Sequence, residues 1–303
     1  MDSTKIIIIV VAAVFVVVLA VSIPLTLANA DVGAPEIDED IFGNNNDYYC
    51  EVTSYDTVDR FNEAMVANMG FFDSRTDIAA EEKLGEYIAG VSKKVWVAET
   101  RTGDTVVSSR LMSEENIQSL ERRGNASARG EDYYTLTLFL KVMDGDGLYR
   151  ITTKAAWKNF AEYDGKQTFD DFNEDVLAVN WGGEGYLARQ DFNFVGKHAN
   201  GADVVERRFV SDGYGAMAWA FVAKTWHYGA MMKYAGANVA LKSYAEQPVG
   251  KQTNVQLTYV HTYLNDDFRV AVGEIGKDIA ANVTTSGIAN HWQLQLDVAG
   301  LIY

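Results

Sequence analysis

Residues 131–160 read EDYYTLTLFLKVMDGDGLYRITTKAAWKNF. From Tyr133 the side chains alternate. Tyr134, Leu136, Leu138, Leu140 and Val142 fall on one face, and Tyr133, Thr135, Thr137, Phe139 and Lys141 on the other. Successive side chains of a strand point to opposite faces, so this is the two-residue period of β-structure. Asp144-Gly145-Asp146-Gly147 then turns the chain, because glycine supplies positive φ and aspartate tolerates it. The return arm places Tyr149, Ile151, Thr153, Ala155 and Trp157 on one face. A hairpin with an apolar row on each arm needs a second layer to cover it. An antiparallel sandwich-like β domain over residues 131–303 is therefore expected, with Leu136, Leu138, Leu140 and Trp157 in its core.

C-terminal to the hairpin, further strands are predicted at Val176–Trp181, Tyr186–Phe194, Val204–Val210, Val239–Tyr244, Asn254–Leu264, Phe268–Glu274 and Trp292–Val298. Ala216–Ala223 also reads as a strand, with Met217, Trp219 and Phe221 alternating with small residues. N-terminal to the hairpin the period changes. Val58, Phe61, Met65, Met69 and Phe72 recur at steps of three and four, which predicts a helix begun by Asp56 or Thr57. A second helix is predicted after Thr76, with Leu84, Tyr87, Ile88 and Val91 on one face. A hairpin follows, in which Val95, Val97 and Glu99 alternate with Trp96 and Ala98 before a turn at Thr102-Gly103-Asp104. A third helix runs from Glu114 to Arg123, capped by Ser113 and stopped by Gly124. The polar loop 125–130 marks the expected boundary between an α+β subdomain (48–130) and the β domain (131–303).

The first thirty residues read as targeting. Ile6–Ile23 is apolar except for Ser22, flanked by Lys5 and ended by Pro24. At about 1.5 Å per residue such a run just crosses a bilayer core. Ala28-Asn29-Ala30 supplies the small residues of a cleavage site. Residues 1–30 are thus a signal peptide or a single transmembrane anchor, with cleavage after Ala30 favoured. The expected location is extracellular or at the cell surface, with residues 6–23 holding the chain in the membrane if uncleaved. Residues 31–47 are acidic and polar and read as a flexible linker. The fold class is α+β, mainly β: an export or membrane helix, a small helical-plus-hairpin region, and the sandwich-like domain.

The chain of 303 residues has a net charge of −16. An acidic surface repels phosphate backbones, which excludes nucleic acid as an expected partner. Cys50 is the only cysteine, so no internal disulfide forms. Of the four histidines, none makes an HxH or HExxH pair, and no metal or other cofactor is expected. His261 continues the row Val255, Leu257, Tyr259 and reads as a hydrogen-bonded, half-buried histidine. His198 reads as part of a turn. No GxSxG, SxxK, Rossmann or P-loop motif occurs. Asn125 and Asn282 open glycosylation triplets that matter only in a host with the pathway. No motif is specific enough to name a family.

Two features point to binding or chemistry. Trp181-Gly182-Gly183-Glu184-Gly185-Tyr186 joins two strands, and loops of a rigid sheet often carry binding residues. Trp181 and Tyr186 offer rings for a sugar or an apolar side chain, and Glu184 offers an acceptor. Against this, Leu177, Val179 and Trp181 share a strand face, which turns the Trp181 ring inward. Asp170, Asp171, Glu174, Asp175 and Glu184 gather around the same aromatics, as the paired acids of a glycoside hydrolase do. Three classes follow, in order of preference: a non-catalytic exported protein that binds a protein or carbohydrate or assembles, a carbohydrate-active hydrolase, and an outer-membrane β-barrel.

Overall fold

The computed structural model describes residues 48–69, 85–102, 105–122, 131–145, 147–159, 174–182, 187–198, 201–211, 215–222, 224–225, 230–244, 252–263, 269–272, 283–286 and 290–302. The predicted targeting segment and acidic linker lie outside these residues. Among the described residues no helix is long and apolar enough to cross a membrane. Asn45–Tyr303 is one compact unit.

The strands are β1 (Cys50–Tyr55), β2 (Glu86–Thr102), β3 (Thr105–Leu111), β4 (Glu131–Gly145), β5 (Leu148–Asn159), β6 (Glu174–Asn180), β7 (Leu187–His198), β8 (Glu206–Ser211), β9 (Ala216–Val222), β10 (Lys224–Thr225), β11 (Ala230–Ser243), β12 (Gln252–Tyr263), β13 (Arg269–Val272), β14 (Val283–Ser286) and β15 (Asn290–Ile302). The larger sheet runs β1-β2-β4-β5-β11-β10, with β3 also on β2 and β7 also on β11. The smaller runs β15-β12-β6-β9-β8, and β13 and β14 pair by themselves. The pairs are antiparallel, as the hairpin at 131–160 predicts.

One apolar core lies between the two sheets. Leu136, Leu138, Leu140, Ile151 and Trp157 enter it from the larger sheet, and Leu177, Val179, Trp219, Tyr259 and Leu294 from the smaller. Burying each such side chain contributes about 1.5–3 kcal/mol, which holds the layers together. Open sheets with an apolar interior are the inverse of a membrane barrel, which turns its apolar band outward. Among the described residues the arrangement is sandwich-like, as the hairpin predicts. The strands on either side of residues 125–130 share one sheet, since β2 pairs with β4 from Glu86 with Asp144 to Thr100 with Glu131.

The outer face of the larger sheet is partly covered by helix α1 (Val58–Met69). The amide N–H of Arg60 donates to the Thr57 hydroxyl at 3.4 Å, so Thr57 serves as the N-cap. Phe61 and Met65 are buried, and the Phe61 ring meets Phe139 edge-on at 5.8 Å. Gly90 on β2 makes room for this contact. A Cβ there would lie 2.7 Å from the Phe61 ring and 2.5 Å from the Tyr87 hydroxyl. Helix α2 (Glu114–Arg122) follows Ser113 as predicted and buries Ile117 and Leu120 against Trp96 and Met112.

The second predicted helix is corrected. Glu86 onward is strand β2, and residues 70–84 lie outside the described residues. The helical spacing of Tyr87, Ile88 and Val91 has another cause. Tyr87 pairs with Met143 and Ala89 with Val142, so Ile88 is the extra residue of a β-bulge. The bulge sets Ile88 against the main core, together with Val91. A bulged strand thus mimics a step of three. Strands β1, β10 and β14 were not anticipated, being short and partly polar.

Candidate functional site

Three ionisable side chains meet between the sheets. On β12 the inward row runs Val255, Leu257, Tyr259 and then His261. On β6 the row Trp181, Val179, Leu177 runs back to Asp175. On β2 the row Val95, Val97 runs on to Glu99. Each polar group therefore ends an apolar row, and strand pairing brings the ends together. Val260 pairs with Val176, which sets Asp175 beside His261 in the smaller sheet. Glu99 approaches from the larger one.

The geometry is closely specified. His261 Nδ1 lies 3.0 Å from Asp175 Oδ1, and His261 Nε2 lies 3.2 Å from Glu99 Oε1. The Tyr259 hydroxyl donates to Asp175 Oδ2 at 2.5 Å, and the amide N–H of Thr262 donates to Asp175 Oδ1 at 3.2 Å. The Trp157 indole N–H donates to the Tyr259 hydroxyl at 3.0 Å. The Trp292 indole N–H donates to Ser109 on β3 at 2.9 Å. The imidazole is enclosed by rings, with Trp292 at 4.9 Å, Trp157 at 5.4 Å and Tyr263 at 6.3 Å between centroids. Electron-rich ring faces favour a cation between them.

The electrostatics follow from burial and charge. Glu99 is 0% exposed, Asp175 1% and His261 2%. Burial alone would lower the His261 pKa, but the Asp175 and Glu99 carboxylates outweigh it and push the value up to about 9. The Tyr259 phenol is raised well above 10, first by burial and then by Asp175. Burial also raises Tyr263. Asp175 and Glu99 thus favour the charged form of His261, and the same surroundings favour the neutral form of Tyr259.

An aspartate orienting a histidine is half of a catalytic triad, but a triad turns the second nitrogen toward a nucleophile. Here that nitrogen faces Glu99. With all three groups sealed between the sheets, the arrangement holds charge and does not present it to a substrate. Among the described residues no group of three His, Cys, Asp or Glu side chains is set to hold a metal ion.

The residues singled out in the sequence are placed differently. Trp181 is fully buried in the inter-sheet core. Its indole N–H donates to the Leu187 carbonyl at 3.3 Å, and its own carbonyl accepts from the Thr253 hydroxyl at 3.0 Å. Glu184 and Tyr186 lie outside the described residues, as do Asp170, Asp171, Asn125 and Asn282. Glu174 begins β6 half-buried, while Asp175, grouped with it in the sequence, belongs to the histidine cluster. His198 ends β7, almost wholly buried, and opens the predicted turn, its carbonyl accepting from the Gly201 amide at 2.9 Å. Cys50 is a half-buried free thiol on β1. In the sequence Glu99 stands out only as one residue of an alternating strand. The signal that would have found it is its parity with Val95 and Val97, which commits a carboxylate to the core.

No protein-family model matches the sequence, and no curated protein matches it. Solved structures overlap the fold at low scores. A pore-forming protein is 8% identical, with a TM-score of 0.27 over 70% of this chain and 95% of that one. The collagen adhesin of S. aureus is 7% identical, with a TM-score of 0.25 over 72% of this chain and 91% of that one. The C-terminal domain of the Streptococcus agalactiae AgI/II polypeptide BspA is 8% identical, with a TM-score of 0.22 over 58% of this chain and 89% of that one. TM-scores this low carry no argument about what this chain does.

Proposed function

We propose that this chain is an exported or surface-tethered β-sandwich protein that binds or assembles without catalysis. The observation that carries the reading is the enclosure of Glu99, His261 and Asp175. The described histidine–carboxylate constellation is spent on joining the two sheets and has no open side for a substrate. Export rests on the apolar run Ile6–Ile23 and on Ala28-Asn29-Ala30. If uncleaved, the run tethers the chain to the membrane as a single-pass protein. The acidic balance disfavours nucleic acid and leaves a protein or carbohydrate as the ligand class.

The loop between β6 and β7 is the proposed ligand surface, with Glu184 and Tyr186 as its binding side chains. Trp181 then acts as the buried footing of that loop. The experiment has two arms. Fractionation with N-terminal sequencing should find the chain outside the cytoplasm, beginning at Asp31 if cleaved. A glycan array paired with a reducing-sugar assay should give retention without product. Turnover of a retained glycan would replace binding with hydrolysis, and a full-length cytoplasmic chain would overturn the export.

A further inference from the structure

We infer that the outward row running along β11 from Asn238 to Tyr244, with Gln190 of β7 and Arg150 of β5, is a binding face for a neutral oligosaccharide. This face extends the ligand-binding reading above, on which it depends: Leu187 pairs with Ser243, so the loop between β6 and β7 enters β7 beside Tyr244. Val239 and Leu241 point into the core. Asn238, Ala240, Lys242 and Tyr244 alternate with them and face away from it. β11 is paired with β5 on one side and β7 on the other, so its backbone groups are spent and a ligand meets side chains alone.

The row has a ring at one end. Tyr244 is 55% exposed. Its hydroxyl accepts from the Gln190 carboxamide at 2.6 Å, and the Lys242 ammonium lies 5.9 Å from the ring centre. Ala240 pairs with Asp191 and Leu241 with Arg189, so Gln190 is the extra residue of a β-bulge. Bulges re-aim side chains, and here the bulged residue is the one that reaches Tyr244. A ring already fixed in place loses little freedom when a flat partner stacks on it.

The other end holds unspent polar atoms. Arg150 pairs with Ala240 and Thr152 with Asn238, so Arg150 and Asn238 are diagonal neighbours. Arg150 Nε and Asn238 Oδ1 are buried atoms with no hydrogen-bond partner among the described residues. Such groups are costly until something pairs them. A hydroxyl both donates and accepts, so one sugar hydroxyl seated there answers both. Asn238 and Tyr244 are six residues apart, about 20 Å along the strand, which suits a chain of sugars and not a single one. Arg150 and Asp191 flank Ala240 from its two sides, so opposite charges stand across the row and favour a neutral ligand over a polyanion. Peptides are recognised through a free strand edge, an apolar groove or an arginine cluster, and among the described residues this face has none of them.

The test immobilises the full chain and offers it the neutral hexasaccharides of glucose, mannose, galactose and N-acetylglucosamine, each beside its disaccharide, with hexagalacturonate as the anionic control. At least one neutral hexasaccharide should be held about tenfold tighter than its disaccharide, and the anionic hexamer should not be held. Tyr244→Ala should weaken retention about tenfold at unchanged Tm. Tyr244→Phe keeps the ring and loses only the Gln190 bond, so most of the retention returns. Asn238→Ala should weaken it several-fold. Failure to hold any neutral hexasaccharide overturns the face, as does retention indifferent to Tyr244→Ala. Retention that ignores Tyr244→Ala but falls with Glu184→Ala or Tyr186→Ala would leave the loop as the ligand surface and remove this face. Should Asn238→Ala not fold, the exposed Tyr244 decides alone.

Discussion

Trp157 donates its indole proton to the Tyr259 hydroxyl at 3.0 Å, a hydrogen bond that runs from β5 of the larger sheet to β12 of the smaller. The hydroxyl passes its own proton toward Asp175. A row of directed bonds therefore crosses the core between the sheets. Dispersion and burial hold sheets together without choosing how they slide, whereas directed bonds fix one alignment.

Asp175→Ala removes the acceptor shared by Tyr259, Thr262 and His261. The buried donors are left unpaired, and the stability loss should be about 3–5 kcal/mol. Urea unfolding of the variant measures it. A loss below about 1 kcal/mol would show that the cluster tolerates the absence of its central carboxylate.

The pH profile of stability follows from His261. Its folded pKa of about 9 lies above the unfolded value of 6.5. The imidazolium therefore contributes fully below pH 6.5, and the contribution fades as pH rises through about 9. The shift corresponds to about 3 kcal/mol. Thermal unfolding between pH 6 and 10 should show a falling Tm, and His261→Gln should flatten that fall while lowering Tm at pH 6.

Phe61→Ala empties the pocket between α1 and the sheet and should cost about 3–5 kcal/mol. Gly90→Ala acts on the same contact from the other side. Its methyl group would press on the Phe61 ring, and overpacking costs about 1–3 kcal/mol. The double variant Phe61→Ala with Gly90→Ala should lose less than the sum, because the ring that the methyl strikes is gone. Full additivity in denaturant titrations would separate the two residues.

Leu138→Asp places an unpaired carboxylate in the middle of the inter-sheet core, where Leu138 is fully buried. The cost is several kcal/mol, and the variant should be insoluble on expression. A soluble variant with native circular dichroism would mean that this position faces outward.

Most of the β architecture was legible in period-two rows. Leu136, Leu138 and Leu140 lie inward as their alternation requires, and α1 and α2 begin at the predicted caps. What misled was local. At Ile88 an extra residue shifts the phase and turns a strand into a helical-looking step. The cluster was half legible. Tyr259 and His261 share a visible row, and Glu99 shares one with Val95 and Val97. Which row ends meet depends on sheet order, and sheet order is set by non-local pairing that one sequence does not display. Asp175 illustrates the point: in sequence it stands in an acidic run, and only its strand parity with Leu177 sets it apart.

Lys93 has a consequence for life at high concentration. It lies on β2, where strand parity turns it toward the sandwich interior, and its ammonium donates to the Gln295 carbonyl of β15 at 3.4 Å. β15 is the outermost strand of the smaller sheet and thirteen residues long. A long rim strand invites copies of itself to zip on, the first step toward a fibril. A newcomer laid along β15 would meet a fixed positive charge beside the backbone it needs and would have to strip that charge of water to advance. The rim is guarded by a side chain borrowed from the opposite sheet, and the guard stands only while the two sheets remain in register.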